Sequence, residues 1–285
     1  KMLGMTRQGT LFVVATPIGH LEDITLRALR ILKTVALVAA EDTRRTGNLL
    51  RHYDIQTPIL SVREHNEHVR APRLIEKLLG GASIALVTDA GTPGISDPGA
   101  QLVAAVRKAG IRVEPIPGAS AVVAAMSASG LKSEGFCFLG FAPVKSKDRK
   151  KWFSEAVEQA KQRAVVFFEA PHRLQRTLVE LGVLVKRPIM AGRELTKIHE
   201  EFRFGTADEL IAAFEVPQGE FTLIIPQQVE PDGEPAEPED AEIIAAFGRI
   251  TEKFSPESKR EAARIVGEQL GLTTRRVYDA LERNK

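Results

Sequence analysis

Between residues 11 and 225, short β-branched apolar runs alternate with stretches whose apolar positions recur every three or four residues. Leu11–Ala15, Val35–Ala40, Ser83–Thr88 and Ile111–Ile116 are runs of the first kind and predict strands. Leu21, Ile24, Ala28, Ile31 and Leu32 share one face, which predicts a helix over Leu21–Leu32. Asp97 as N-cap with Pro98 behind it starts another helix, and Gly110 closes it. Strands that are apolar throughout and separated by helices imply a largely parallel sheet covered on both faces. The pattern restarts after Gly130. Phe136–Phe141, Ala164–Phe168 and Phe221–Ile225 predict strands, another falls near Ile59–Val62, and basic Lys145–Lys151 leads into a helix over Trp152–Gln162. The expected class is α/β, with two α/β domains over 1–131 and 132–226.

Charge changes the picture beyond residue 226. The stretch 227–240 holds six acids, no base, and Pro231, Pro235 and Pro238, so it predicts an extended linker with too little apolar surface to fold. The tail, 241–285, predicts helices. Ser255 and Pro256 start one that runs to Leu270, Gly271 stops it, and Thr273 or Thr274 caps the next, a helix-turn-helix-like order. From Lys253 onward eight bases face five acids, and Arg275, Arg276 and Arg283 are candidates to meet phosphates; a plain packing appendage is the other reading. The chain's net charge is +2, so without the linker it is +8, a mild bias toward a polyanionic partner.

Composition excludes several classes. Charged residues make up 27% and apolar ones 44%, ordinary for a globular protein rather than a disordered one. The single cysteine, Cys137, excludes a disulfide framework and points to a reducing, cytoplasmic setting. No apolar run approaches the ~20 residues a membrane helix needs, and no export signal is expected.

The loops carry the chemistry. Thr88–Gly99 follows a predicted strand, with Gly91, Gly94 and Gly99 allowing positive φ and Pro93 and Pro98 stiffening it. A rigid, backbone-lined loop at the carboxyl end of a parallel strand is where α/β folds bind ligands. Asp89 stands at the strand's tip, placed to accept from ribose hydroxyls. Thr16–Asp23 and Pro117–Ala121 are related turns, and Ser120 is positioned to cap a helix. Neither G-x-G-x-x-G nor a P-loop occurs, which disfavours nicotinamide enzymes, kinases and GTPases. Three polar segments have no reason to belong to a core: Glu41, Asp42 and Arg44; His65, Asn66 and Glu67; Arg193, Glu194 and Lys197. Each is a candidate to act on a substrate, and each also has a structural reading as a helix cap or an ion-paired edge. His65 and His68 with Glu64 and Glu67 fall short of a metal set, so no metal is expected.

Eight motifs stand in order: Thr16–Gly19, Glu41–Arg44, His65–Glu67, Asp89–Gly99, Pro117–Ala121, Phe168–Arg173, Arg193–Lys197 and Gly219–Phe221. Together they resemble the tetrapyrrole methylase superfamily of S-adenosylmethionine-dependent methyltransferases, and within it the branch that acts on small-subunit ribosomal RNA. The resemblance spans Thr10 to Pro226 and extends to the tail; His20 stands where the family pattern has asparagine. It implies a cofactor cleft between two α/β domains, a homodimer, and 2′-O-methylation of a cytidine in the decoding region of 16S ribosomal RNA. Carried over motif by motif, it implies cofactor contacts at Pro17, Ile18, Gly19, Asp89, Ala90, Gly91, Thr92, Pro93, Gly94, Ser120, Ala121, Phe168, Glu169 and Ala170. Two rivals remain: methylation of a small tetrapyrrole or another non-RNA substrate by the same fold, and a non-enzymatic nucleic-acid-binding regulator using the tail. The glycine- and proline-rich loops speak against the second.

Overall fold

The computed structural model describes residues 8–132, 134–228, 240–254, 259–270 and 272–283. Nearly all of the acidic stretch, the Ser255–Pro256 start and Gly271 lie outside the described residues. The chain divides into two compact units, Lys1–Gln228 and Val229–Lys285.

The first unit opens with β1 (Leu11–Val14), α1 (Leu26–Thr34), β2 (Leu37–Ala40), α2 (Thr43–His52), β3 (Ile59–Ser61), α3 (Glu67–Leu79), β4 (Ile84–Val87), α4 (Ala100–Lys108), β5 (Val113–Ile116) and α5 (Ala121–Ala128). The five strands form one all-parallel sheet, β3-β2-β4-β1-β5. β4 is buried at all four positions, as an apolar run demands. Residues of α1 and α2 bury against one face, around Ala28, Leu32 and Leu50, and those of α3 and α4 against the other, around Leu74, Leu78 and Leu102. The connections leaving β1 and β4, which are neighbours, thus diverge to opposite faces and open a crevice at their carboxyl ends.

Two helix starts differ from expectation. The predicted Leu21–Leu32 helix is a 3₁₀ turn, Leu21–Asp23, followed by α1, because the Thr25 side chain accepts the Ala28 N–H and sets a new N-cap. Asp97 caps nothing: Gly99, at φ 126°, is the N-cap residue of α4, which leaves the Asp97 carboxyl to the crevice.

The second half adds β6 (Phe136–Phe141), α6 (Ser146–Gln159), β7 (Ala164–Glu169), α7 (Pro171–Leu184), β8 (Ile189–Arg193), β9 (Glu201–Gly205), α8 (Ala207–Ala213) and β10 (Phe221–Ile225). Its sheet runs β6-β7-β10-β8-β9, and only β6 and β7 are parallel. This corrects the largely parallel expectation: β8 and β9 form a hairpin that the apolar-run criterion passed over. The basic stretch Lys145–Lys151 belongs to α6 rather than leading into it. Helices α6, α7 and α8 cover one face through Phe153, Leu178 and Leu210. α5 covers the other, where Val122 and Ala125 join Val166, Met190, Ile224 and also Ile18 of the first half. One apolar cluster therefore locks the two sheets together beside the crevice.

The second unit holds α9 (Asp240–Phe254), α10 (Lys259–Leu270) and α11 (Thr274–Arg283) around Ile243, Ile250, Val266 and Val277. Thr273 accepts the Arg276 N–H at 3.2 Å, the cap expected from its position.

Candidate active site

Two cavities open at the carboxyl ends of the first sheet's strands. The larger, about 750 Å³, lies among Glu41, Asp42 and Arg44 after β2, Arg63–His65 and Glu67 after β3, and Ser96–Gln101 after β4. The smaller, about 320 Å³, lies between the Thr16–Gly19 loop, the start of α2 and Thr88–Ala90, with Lys197 and Glu220 reaching in from the second half. Asp89 lines both. Both volumes suit small-molecule sites.

Backbone shapes the loops that carry the smaller cavity's lining. Gly91 and Gly94 hold φ of 82° and 81°, conformations that L side chains resist. Thr16 and Gly91 exchange both amide hydrogen bonds, at 2.8 and 3.1 Å, which ties the loop after β1 to the loop after β4. From the other side the β8–β9 turn presses in so closely that a Cβ on Gly19 would stand 2.5 Å from Lys197 Cγ and 2.9 Å from the Leu195 carbonyl oxygen. That turn carries left-handed backbone at Glu194 (φ 49°) and Thr196 (φ 65°). Strain of this kind persists only where neighbours enforce it. Here the Thr196 N–H donates to Glu200 at 2.6 Å, its hydroxyl accepts the His20 N–H at 3.0 Å, and Lys197 Nζ reaches Glu194 and Glu220 at 2.9 Å each. Burial works against charge on Glu194, but the Lys197 ammonium and the Glu220 N–H outweigh it and hold the carboxyl below its ordinary range.

The larger cavity is acidic. Thr88 Oγ1 donates to Glu41 Oε2 at 2.8 Å, and the Asp42 N–H donates to Asp89 Oδ1 at 3.0 Å. Asp42 accepts the backbone N–H of Arg44 at 2.8 Å and its guanidinium at 2.9 Å, contacts that hold its carboxyl far below the usual range. Asp97 behaves oppositely: partial burial, then the charge of Glu41, push it up to about 6 despite a hydrogen bond from Thr88.

The structure thus gathers Glu41, Asp42, Arg44, His65 and Glu67 around one cavity, and Pro17, Ile18, Gly19, Ala90 and Lys197 around the other, with Asp89 between. Several expected residues serve otherwise. Glu67 is buried and accepts the Leu102 N–H in the first turn of α4, where helix dipole and carboxylate attract; it braces the wall. Asn66 Oδ1 accepts the Arg63 N–H at 2.9 Å, closing a turn. Arg193 Nε donates to the Gln218 carbonyl at 2.7 Å. Ser120 precedes α5 but makes no capping bond, and Ala121 begins that helix. Phe168 packs edge-on against Phe138 and Phe141.

Glu169 departs furthest from expectation. Its side chain is wholly buried, bonded to Arg173 at 3.0 Å, to the Ala170 N–H at 2.9 Å and to the Thr177 hydroxyl, with Arg149 at 3.7 Å. Every lone pair is used inside the second half, which leaves no part of the carboxylate for a cofactor. Thr92, Pro93 and Ala170 contribute turn backbone. Residues the sequence reading passed over are Thr88, Ser96, Asp97 and Glu220; Asp97 had its signal, an acid in a glycine- and proline-rich loop, but was assigned to a helix cap. In the tail, Arg276 and Arg283 meet Asp240 at 2.7 and 3.6 Å, so two of the three arginines expected on phosphates are ion-paired within the unit. Among the described residues no group of three or more His, Cys, Asp or Glu side chains is arranged to hold a metal, and no helix is long and apolar enough to cross a membrane.

Two α/β halves closing a glycine-lined crevice define a class, and the chain belongs to it: residues 10–211 match the family of tetrapyrrole (corrin/porphyrin) methylases. Within that family it is 44% identical to ribosomal RNA small subunit methyltransferase I of Synechocystis sp., over 95% of this chain and 96% of the relative. The protein of that name from Halalkalibacterium halodurans is likewise 44% identical, over 95% and 94%. Among solved structures, uroporphyrin-III C-methyltransferase from Thermus thermophilus in complex with S-adenosylhomocysteine is similar in fold, with a TM-score of 0.55 and 18% identity over 76% of this chain and 97% of that one.

Proposed function

We propose that this protein transfers a methyl group from S-adenosylmethionine to the ribose 2′-hydroxyl of a cytidine in the decoding region of 16S ribosomal RNA. Methylation of small-subunit ribosomal RNA is the coarser part of this reading. The observation that carries it is likeness, along nearly the whole chain, to relatives named for small-subunit ribosomal RNA methylation. Geometry supports the division of labour: a small cavity for the donor opens beside a larger one for a nucleotide, and Asp89 stands in both.

The residues of the smaller cavity fit the donor's chemistry. S-adenosylmethionine supplies a methyl group on a positively charged sulfur. Two ion pairs line it, Arg45 with Asp89 and Lys197 with Glu220, which offer both signs of charge to a zwitterionic amino-acid end; Ile18, Leu49 and Ala90 offer apolar surface to a flat base. Positioning and exclusion of water provide most of the acceleration in such a displacement. The hairpin turn over Gly19 does both, since it closes the crevice from the second half. In the larger cavity, Arg44 and His65 are placed to meet a nucleotide, and Asp42 holds Arg44 in place.

A homodimer and RNA docking by the tail belong to the same proposal. The test is methylation of undermethylated small subunits against free ribosomal RNA, followed by mapping of the modified nucleotide. A single 2′-O-methylcytidine in the decoding region is the expected product. Methyl transfer to a tetrapyrrole, with none to RNA, would replace this reading by its rival.

A further inference from the structure

The crevice contains a carboxyl inside the Asp89–Gly99 motif to which neither the sequence reading nor the relatives' names give a chemical role. Asp97 stands on the loop between β4 and α4, on the wall of the larger cavity. Gly99 delays the helix, so this aspartate is spared the capping bonds that an acid ahead of a proline ordinarily makes. Its neighbour is the Thr88 hydroxyl, which also faces Glu41. A hydroxyl has one proton to give. When Thr88 gives it to Glu41, at 2.8 Å, it withholds it from Asp97; turned the other way, it stabilises an ionised Asp97.

We propose that Asp97 is the base that takes the proton from the attacking hydroxyl, with Thr88 turning between Asp97 and Glu41 as the charge on Asp97 changes. This rests on the methyltransferase reading above. In the step, an oxygen lone pair of the nucleophile forms the bond to the methyl carbon. The carbon–sulfur bond breaks with its electron pair going to sulfur, and the hydroxyl proton passes to an Asp97 oxygen. Charge balances: the sulfonium becomes a neutral thioether and the carboxylate a carboxylic acid.

Groups around Asp97 favour this role. Glu41 from the end of β2, Asp89 from the end of β4 and Glu220 ahead of β10 are the acids facing it, and all raise its proton affinity. The cations nearby are engaged: Arg44 with Asp42, Arg45 with Asp89, and Arg63 Nε with the Glu41 carbonyl. Glu67 is spent on α4, while Glu64 and His65 stand exposed in the segment after β3. The carboxyl at about 6 is nearly all ionised at neutral pH and accepts a proton far more readily than an ordinary aspartate.

The experiment combines a titration with kinetics on the full chain. In cofactor-free protein carrying ¹³C-labelled aspartate, one carboxyl resonance titrates near 6, is missing from Asp97→Asn, and moves to higher pH in Thr88→Val, which lacks the stabilising donor. In methyl transfer, kcat of Asp97→Asn falls about 10²-fold or more, and the limb rising through pH 6 disappears. Asp97→Glu restores part of the rate, and calorimetry finds S-adenosylmethionine affinity within about threefold of wild type in both. An Asp97→Asn protein with wild-type rate and pH profile overturns the assignment and leaves the methyltransferase reading standing. So does loss of cofactor affinity in that variant, which would move Asp97 to the other pocket, or the absence of any aspartate titrating between pH 5 and 7. If wild-type protein binds no S-adenosylmethionine, the functional reading itself fails and the base falls with it.

Discussion

The two halves of the first unit are built alike, five strands each with helices packed on them, yet they treat acids in opposite ways. In the second half Glu169 is sealed in the core, with Arg173, Thr177, a backbone N–H and Arg149 around it, and Arg149 in turn reaches Glu180 at 2.9 Å. In the first half Glu41, Asp89 and Asp97 crowd together at the ends of strands, facing space. The difference follows from strand direction. An all-parallel sheet delivers the carboxyl ends of its strands to one edge, where divergent loops cannot pack over their own side chains. A mostly antiparallel sheet has no such edge, and its charges are buried in pairs or stay at the rim. Glu169 in the second half holds structure together, whereas Glu41, Asp89 and Asp97 in the first half line a cavity.

The strongest test breaks the contact between the halves. Gly19→Ala puts a methyl group into the Leu195 carbonyl and Lys197, so the hairpin turn must retreat from the Thr16–Gly19 loop. S-adenosylmethionine affinity falls about 100-fold or more, by analogy with losing a precisely placed wall of a site, while circular dichroism shows the fold intact. Gly94→Val, at φ 81°, strains the Asp89–Gly99 loop, whose first residues line that cavity, and lowers affinity through it. Unchanged affinity in both variants would remove the smaller cavity from consideration as the donor site.

Glu169 comes next. Glu169→Gln leaves Arg173 without its counter-charge and Arg149 with Glu180 alone, and breaking a buried pair costs about 3–5 kcal/mol. Denaturant unfolding reads the loss as a lower midpoint. Cofactor affinity, measured on protein that remains folded, stays at the wild-type level because no lone pair of Glu169 faces the crevice. A stable Glu169→Gln protein with weakened cofactor binding would return this residue to the cofactor set and undo the contrast between the halves.

The contrast also explains what the sequence disclosed. Glycines at 91, 94 and 99 announced a backbone-lined loop because positive φ is a local property of the residue. So was the parallel sheet, since β1, β2 and β4 are apolar throughout. The burial of the Glu169 side chain was not legible because it depends on Arg149, twenty residues upstream, brought to it only when α6 and α7 pack. β9 was invisible for a related reason: Glu201–Gly205 exposes Phe204 and alternates charge with aromatic side chains, as an edge strand does, and no apolar run marks it. Asp97 was legible as an acid in a special loop, but its role hinged on whether α4 starts at residue 98 or at residue 100, a boundary decided by Gly99.

An effect on turnover sharpens the first half alone. Asp42→Ala or Arg44→Ala breaks the ion pair that lines the larger cavity, and methyl transfer falls about 10²-fold, the cost of a lost positioned charge. Cofactor affinity changes little, because both residues line the larger cavity and neither lines the smaller. Parallel losses of turnover and cofactor affinity would merge the two cavities into one functional pocket.

The smallest effect bears most directly on the contrast, because it has the opposite sign in the two halves. An aspartate whose carboxyl sits near 6 when folded, against 3.8 ordinarily, is harder to ionise in the native protein than in the unfolded chain. Below pH 3.8 both states hold the proton and nothing is lost; as pH rises from there to about 6 stability is lost, and above 6 the loss is complete. Asp97→Asn abolishes the ionisation, so it is stabilising at pH 8 and neutral at pH 4. Partial exposure discounts the shift to on the order of 1 kcal/mol, a Tm increase of roughly 2–4 °C for a unit of this size. Thermal melts of Asp97→Asn and Glu169→Gln at the two pH values decide the matter. At pH 8 the first raises Tm and the second lowers it. A fall in Tm for Asp97→Asn at pH 8 would mean that the crevice acid is a structural group after all, satisfied where it stands.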